Sequence, residues 1–171
     1  HVHDGDRGAQ GGISAGKGGA AQGFLIVNLR DVMHMHAAQH FGTRVLHYRL
    51  NYAVELRYGV LLDIAKSVWD DSPVDVTMGW LNCVWQGHAN AVALQAFDLA
   101  ASPAAILNVT GMEKLSIRRL AYQFGELLGT EPDIIGQEAQ TALLSDATRC
   151  HELFGEPAVD IATLCKWIAR W

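Results

Sequence analysis

The sequence predicts an α/β fold, and three observations carry that expectation. From Phe24 onward, short runs rich in β-branched, aromatic and other apolar residues alternate with stretches of helical periodicity, as in chains that build a sheet with helices packed on it. The alternation continues to the C-terminus without an internal repeat, so some of the strands should pair in parallel. Half of the 171 residues are hydrophobic and 18% are charged, enough apolar surface for one packed core.

Composition changes near residue 24. Eight of the 17 glycines lie in residues 1–23, with almost no large apolar side chains, so that stretch cannot bury enough surface to offset its ordering entropy. It is expected to be a disordered tail, and 24–171 the folded unit. Within the tail, GGISAGKGG (11–19) has the outline of a phosphate-binding loop: Gly11, four residues, Gly16 and Lys17. That loop needs a buried strand before it and a helix opening with Ser or Thr after it. Here Gly18 follows the lysine, and neither neighbour has the required pattern, so the stretch reads as glycine-rich sequence. No glycine fingerprint lies between a strand and a helix either.

The elements follow in order. LRDVMHMHAAQHF (29–41) reads as a helix with Val32, Met33, His36, Ala37 and His40 near one face, ended by Gly42. RVLHYRLN (44–51) reads as a strand and GVLLDIAKSVW (59–69) as a helix stopped by DDSP. VDVTM (74–78) and NCVW (82–85) are short strands; ANAVALQAFDLAA (89–101) is an Ala-rich helix; AILNV (105–109) is a buried-type strand. SIRRLAYQFGELLG (116–129) is an amphipathic helix capped by Ser116 and closed by Gly129. DIIG (133–136) is a short strand. SDATRCHELFG (145–155) is a helix with Ser145 as its cap, and Asp160 caps a terminal helix over 160–171.

Several function classes are disfavoured. A net charge of −5 argues against a general affinity for nucleic acid, and Arg118 and Arg119 with Glu126 read as a solvated helix face. Cys83, Cys150 and Cys165 are odd in number, far apart and form no CxxC, which argues against a disulfide framework and for a reducing compartment. With no apolar run of spanning length and no secretory pattern at its start, the chain is expected to be cytoplasmic, with no membrane partner. Eight histidines are many for this length. His36 and His40, four apart on one helix, could face one metal, but no HExxH pattern or third ligand accompanies them, and no metal site is assigned. His88 lies at a strand-to-helix junction, where α/β sites gather.

The stretch from about Arg30 to Trp171 resembles the C-terminal half of the NAD(P)-dependent epimerase/dehydratase family, the extended short-chain dehydrogenase/reductases. Four segments carry the likeness in order: RVLHYRLNYAVELRYGVLLDIA, NCVWQGHANAVALQAFDLA, AILNVTGMEKLSIRRLAYQFGELLG and ELFGEPAVDIATLCKWIARW. The resemblance implies a partial Rossmann-like sheet edge and a small substrate-binding region. In the intact family it implies NAD or NADP as cofactor, a tyrosine of a Tyr-x-x-x-Lys motif as acid/base, and a small hydroxylated substrate such as a nucleotide-sugar. The sequence departs from that pattern. Tyr48, Tyr52, Tyr58 and Tyr122 all lack a lysine four residues later, and the family's Tyr and Lys would fall near Gly23 and Val27. Asn51 follows Arg49 by two residues where the family usually has three, and the acidic pair before the middle helix reads QGH (86–88).

The chain is therefore expected to carry no catalytic or cofactor-binding residue, to bind no cofactor tightly, and to retain part of the substrate-side wall. The wall residues are Asn51, whose amide suits hydroxyls; Arg57, suited to a phosphate or carboxylate; Tyr58 and Trp85, which could stack on a ring; and His88. The glycine-rich start reads as foreign sequence joined to this half, the product of a truncated gene or of out-of-frame translation of residues 1 to about 28. The other reading is a noncatalytic binding module: a half-sheet with open edges would self-associate as a homo-oligomer or recruit a partner.

Overall fold

The computed structural model describes residues 29–171; the expected tail over 1–23 and the loop-like 11–19 lie outside the described residues. In chain order the elements are α1 (Leu29–Phe41), β1 (Leu46–Leu50), β2 (Ala53–Val54), α2 (Val60–Trp69), β3 (Val74–Asp75), β4 (Trp80–Leu81) and β5 (Val84–Trp85). They continue with α3 (Gln86–Gln95), a 3-10 turn (Ala96–Leu99), β6 (Ala105–Val109), β7 (Leu115–Ser116), α4 (Ile117–Leu128), β8 (Ile134–Ile135), α5 (Thr148–Phe154) and α6 (Ile161–Arg170). Helices and strands alternate as expected, and three of the four strand pairs are parallel: β1 with β6, β2 with β5, and β3 with β8. Among the described residues, the remaining strand pair, β4 with β7, runs antiparallel.

Two apolar clusters hold these pairs together. The larger lies among three helices: Leu61, Ile64 and Val68 of α2, Leu120 and Phe124 of α4, and Leu164 and Ile168 of α6 are buried there with Val54, Val74 and Leu81 from the short strands. These helices have the sharp apolar stripe that drives a helix against a neighbour, so their spans are the ones periodicity finds best. Their ends are set locally. Ser116 Oγ accepts from the Arg119 N–H, Asp160 Oδ1 accepts from the Thr163 N–H, and Gly129 closes α4 at φ 75°. The second cluster joins Leu107 and Val109 of β6 to Val84, Ala89 and Val92 of β5–α3 and to Ala147 and Cys150 at α5. All three cysteines are free and buried, and burial pushes the Cys83 and Cys165 thiols up to about 12.

In α1, Val32 and Met33 are exposed, as are His36 and His40, while Ala38 is buried and Asp31 half-buried. The helix meets β1 through polar contacts. Asp31 Oδ1 lies 3.4 Å from His47 Nδ1, Asp31 Oδ2 lies 3.5 Å from Arg49 Nη2, and the His34 ring stands 5.6 Å from that of His47. Two local expectations are corrected. The Ala-rich helix begins at Gln86, three residues early, with Gln86 Nε2 donating to Asn90 Oδ1 at 2.9 Å, and it tightens into the 3-10 turn after Gln95. Ser145 does not cap α5, which starts at Thr148; Asp146 Oδ1 instead accepts from the Thr148 N–H at 2.9 Å. Among the described residues, no helix is long and apolar enough to cross a membrane.

Candidate functional site

The carboxyl ends of parallel strands are where α/β folds gather polar side chains, because the chain turns there and adjacent loops converge. Here Asn51 directly follows β1, and Thr110 and Gly111 directly follow β6. The Asn51 N–H donates to the Val109 carbonyl at 3.0 Å, and Asn51 Nδ2 donates to Asn82 Oδ1 at 2.9 Å. Asn82 itself is buried at the entry to β5. Its Nδ2 donates to the Gly111 carbonyl at 3.0 Å and the Ser145 carbonyl at 2.8 Å, while its Oδ1 also accepts from the Ser145 N–H at 3.2 Å. One amide side chain thus uses both donors and both acceptor positions to join three loops. Asn51 is part of that lock, which holds the Ser145 backbone on both its N–H and its carbonyl.

Arg57, Tyr58 and Trp85 lie around a second strand pair. Val54 of β2 pairs with Trp85 of β5, and the chain leaves β2 through a turn closed by Glu55 N–H donating to the Tyr58 carbonyl at 3.2 Å. Register therefore sets Arg57 and Tyr58 just past the strand partner of Trp85. Tyr58 is half exposed and free to stack. Trp85 is half-buried and stands edge-on to Trp167 of α6, ring centroids 5.9 Å apart at 78°. Arg57 holds Glu55 bidentately, Nε to Oε1 at 2.7 Å and Nη2 to Oε2 at 3.1 Å, and this hydrogen-bonded partner raises the guanidinium pKa further. An anion reaching Arg57 would have to displace or share that carboxylate.

His88, in the first turn of α3, packs on His151 of α5 with rings nearly parallel at 9° and 6.4 Å apart. His151 Nε2 lies 2.9 Å from the Thr110 carbonyl. Burial, then the nearby His151, push the His88 pKa below its ordinary value. His88 Nε2, His151 Nδ1, Thr110 Oγ1 and Asn108 Oδ1 are all buried without a hydrogen-bond partner among the described residues. Such a concentration of unmet polar atoms near one strand end suits internal water.

The phenol of Tyr48 is committed elsewhere. It donates to the Ala89 carbonyl at 2.7 Å, and burial, with a smaller contribution from Cys150, pushes its pKa up to about 12. A proton-shuttling phenol needs the opposite tuning. Among the described residues, no group of three or more His, Cys, Asp or Glu side chains is placed to hold a metal ion. A groove of about 300 Å³ lies apart from all five expected wall residues, between the N-termini of α4 and α6, lined by Glu113, Lys114, Ser116, Arg119, Gln123 and Asp160 among others.

The fold thus brings Arg57, Tyr58 and Trp85 to one strand pair and assigns Asn51 and His88 to internal contacts. Sequence reasoning missed Asn82, Thr110, Ser145 and His151. For Asn82 a signal existed: a single amide within the run WLNCVW, where a polar group entering an apolar strand requires buried partners.

No protein-family model and no curated protein matches the sequence. Solved structures do match in fold. A UDP-glucose 4-epimerase from Thermus thermophilus in complex with NAD aligns at TM-score 0.62 and 17% identity, covering 82% of this chain and 50% of that one. A UDP-glucuronic acid 4-epimerase from Bacillus cereus, also with NAD, aligns at 0.64 and 12%, covering 82% and 49%. A GDP-mannoheptose C4 reductase from Campylobacter jejuni with NADP bound aligns at 0.61 and 15%, covering 82% and 53%. The described residues share the fold of part of these proteins, and the chain spans about half the length of these neighbours.

Proposed function

We propose that these 171 residues are the substrate-side part of an NAD(P)-dependent epimerase/dehydratase-like protein and turn over no substrate by themselves. The observation that carries the reading is the asymmetry of the structural match: 82% of this chain aligns, but only 50% of the Thermus epimerase. The chemistry agrees. Hydride transfer needs a cradle for the dinucleotide and a phenol that exchanges a proton. The sequence lacks the glycine fingerprint and Tyr-x-x-x-Lys, and the Tyr48 phenol is tied to Ala89. What remains is a wall for a small hydroxylated ligand of the nucleotide-sugar class. Tyr58 and Trp85 offer ring faces and Arg57 offers a cation; Asn51 and His88 shape the wall from behind through Asn82 and His151.

The test is a pair of titrations on the purified chain. NADH fluorescence should be unchanged by the protein, and UDP-glucose with NAD or NADP should give no product. Cofactor-dependent turnover would overturn the reading. UDP-glucose should show saturable binding in calorimetry that weakens in Tyr58→Ala and Trp85→Ala.

One observation favours a second reading, a self-associating module. In the parallel pairing of β1 with β6, Val45 and Asn51 bond toward β6, so the alternate residues Leu46, Tyr48 and Leu50 present their backbone groups to the other edge. Val32, Met33, Met35 and Phe41 of α1 are exposed. Light scattering separates the readings: an oligomer that ignores both cofactor and sugar nucleotide supports the module.

A further inference from the structure

The histidines of α1 divide into two groups. His34 is drawn to β1, its ring 5.6 Å from that of the buried His47. His36 and His40 are both exposed and stand one helical turn apart, their ring centroids separated by 4.1 Å at a 34° tilt. No hydrogen bond or ion pair among the described residues engages either ring. The Phe41 ring meets His36 edge-on at 5.9 Å.

We propose that His36 and His40 form a two-histidine clip on the exposed side of α1 that binds one divalent transition-metal ion of the zinc, nickel or copper class. Imidazole nitrogens bind such ions at about 2.0–2.1 Å, and residues four apart on a helix face the same way, so one ion can bridge two rings this close. Imidazole suits zinc, nickel and copper, whereas magnesium and calcium seek oxygen ligands. Because no group of three or more His, Cys, Asp or Glu is assembled among the described residues, water completes the coordination and the ion stays exchangeable. The helix gains from the ion: a bond across one turn holds α1 in its helical form, where polar contacts rather than an apolar stripe set its place on the sheet.

The clip is independent of the substrate-wall reading and is tested separately, with the full chain and the metal alone. Calorimetric titration with Ni²⁺ should show one equivalent that weakens at least about tenfold in His36→Gln and in His40→Gln, the low end of what even an outer partner's loss costs a metal site. His34→Gln should leave it unchanged, and Mg²⁺ should give no heat. Comparing variants with the parent chain isolates this equivalent from any bound by His1 and His3. With Zn²⁺, the ring resonances of His36 and His40 should shift together in histidine-selective NMR. An unchanged isotherm in both variants, an equal loss in His34→Gln, or a zinc shift confined to one of the two rings would overturn the proposal.

Discussion

Replacing Asn82 by Ala should be among the most damaging single changes in the chain. The Asn82 side chain makes four hydrogen bonds, to Asn51 Nδ2, the Gly111 carbonyl, and the Ser145 carbonyl and N–H. Each net bond contributes about 0.5–1.5 kcal/mol, and a buried group left unmet costs about 1–3 kcal/mol. The Ser145 N–H loses its acceptor, two carbonyls lose a donor, and Asn51 loses its anchor, so a loss of about 3–5 kcal/mol follows. Against a stability of about 5–15 kcal/mol, that is a large fraction. Asn82→Asp keeps the size but sets an acceptor against the Gly111 and Ser145 carbonyls, and should be no better tolerated near neutral pH. Urea unfolding followed by tryptophan fluorescence measures both variants. A loss below about 1 kcal/mol in Asn82→Ala, within the range of one ordinary bond, would refute the idea that this amide joins the three loops.

Ser116→Ala should lower stability by about 1 kcal/mol through loss of the cap on the Arg119 N–H, as read by the urea midpoint. His88 has a folded-state pKa pushed below the ordinary 6.5, so the unfolded chain takes up the proton first. Its contribution is complete above about pH 6.5 and declines as pH falls below it, and His88→Gln should flatten that part of a pH–stability curve. Glu138 is held at about 2 mainly by the Arg118 guanidinium, which reaches it at 2.6 and 3.0 Å. Its contribution is present above the ordinary carboxyl value and lost as pH falls through about 2, so Glu138→Gln should make acid unfolding less steep below about pH 4.5. Being exposed, that difference should also shrink in high salt.

What the sequence determined alone is whatever its own neighbours decide. Helices α2, α4 and α6 were legible because each carries an apolar stripe at helical period, and Ser116, Asp160 and Gly129 mark ends through contacts within a few residues. Strands β1 and β6 were legible as apolar runs, and the absence of paired cysteines already argued against disulfides. Of the candidate wall, the Trp85 and Arg57–Tyr58 segments were visible as aromatic and cationic groups beside a strand, but the pairing of β2 with β5 was not. Only the tertiary structure decided partners. Two-residue strands such as β2, β4 and β7 are too short to carry a period, and they exist because a neighbour supplies their hydrogen bonds. The contacts of Asp31 and His34 with His47 join α1 to β1 across a gap that no local pattern marks. Asn82 acquires its role only when segments 63 residues apart come together, because a buried amide is satisfied by whatever the fold brings within about 3 Å and not by its place in the chain.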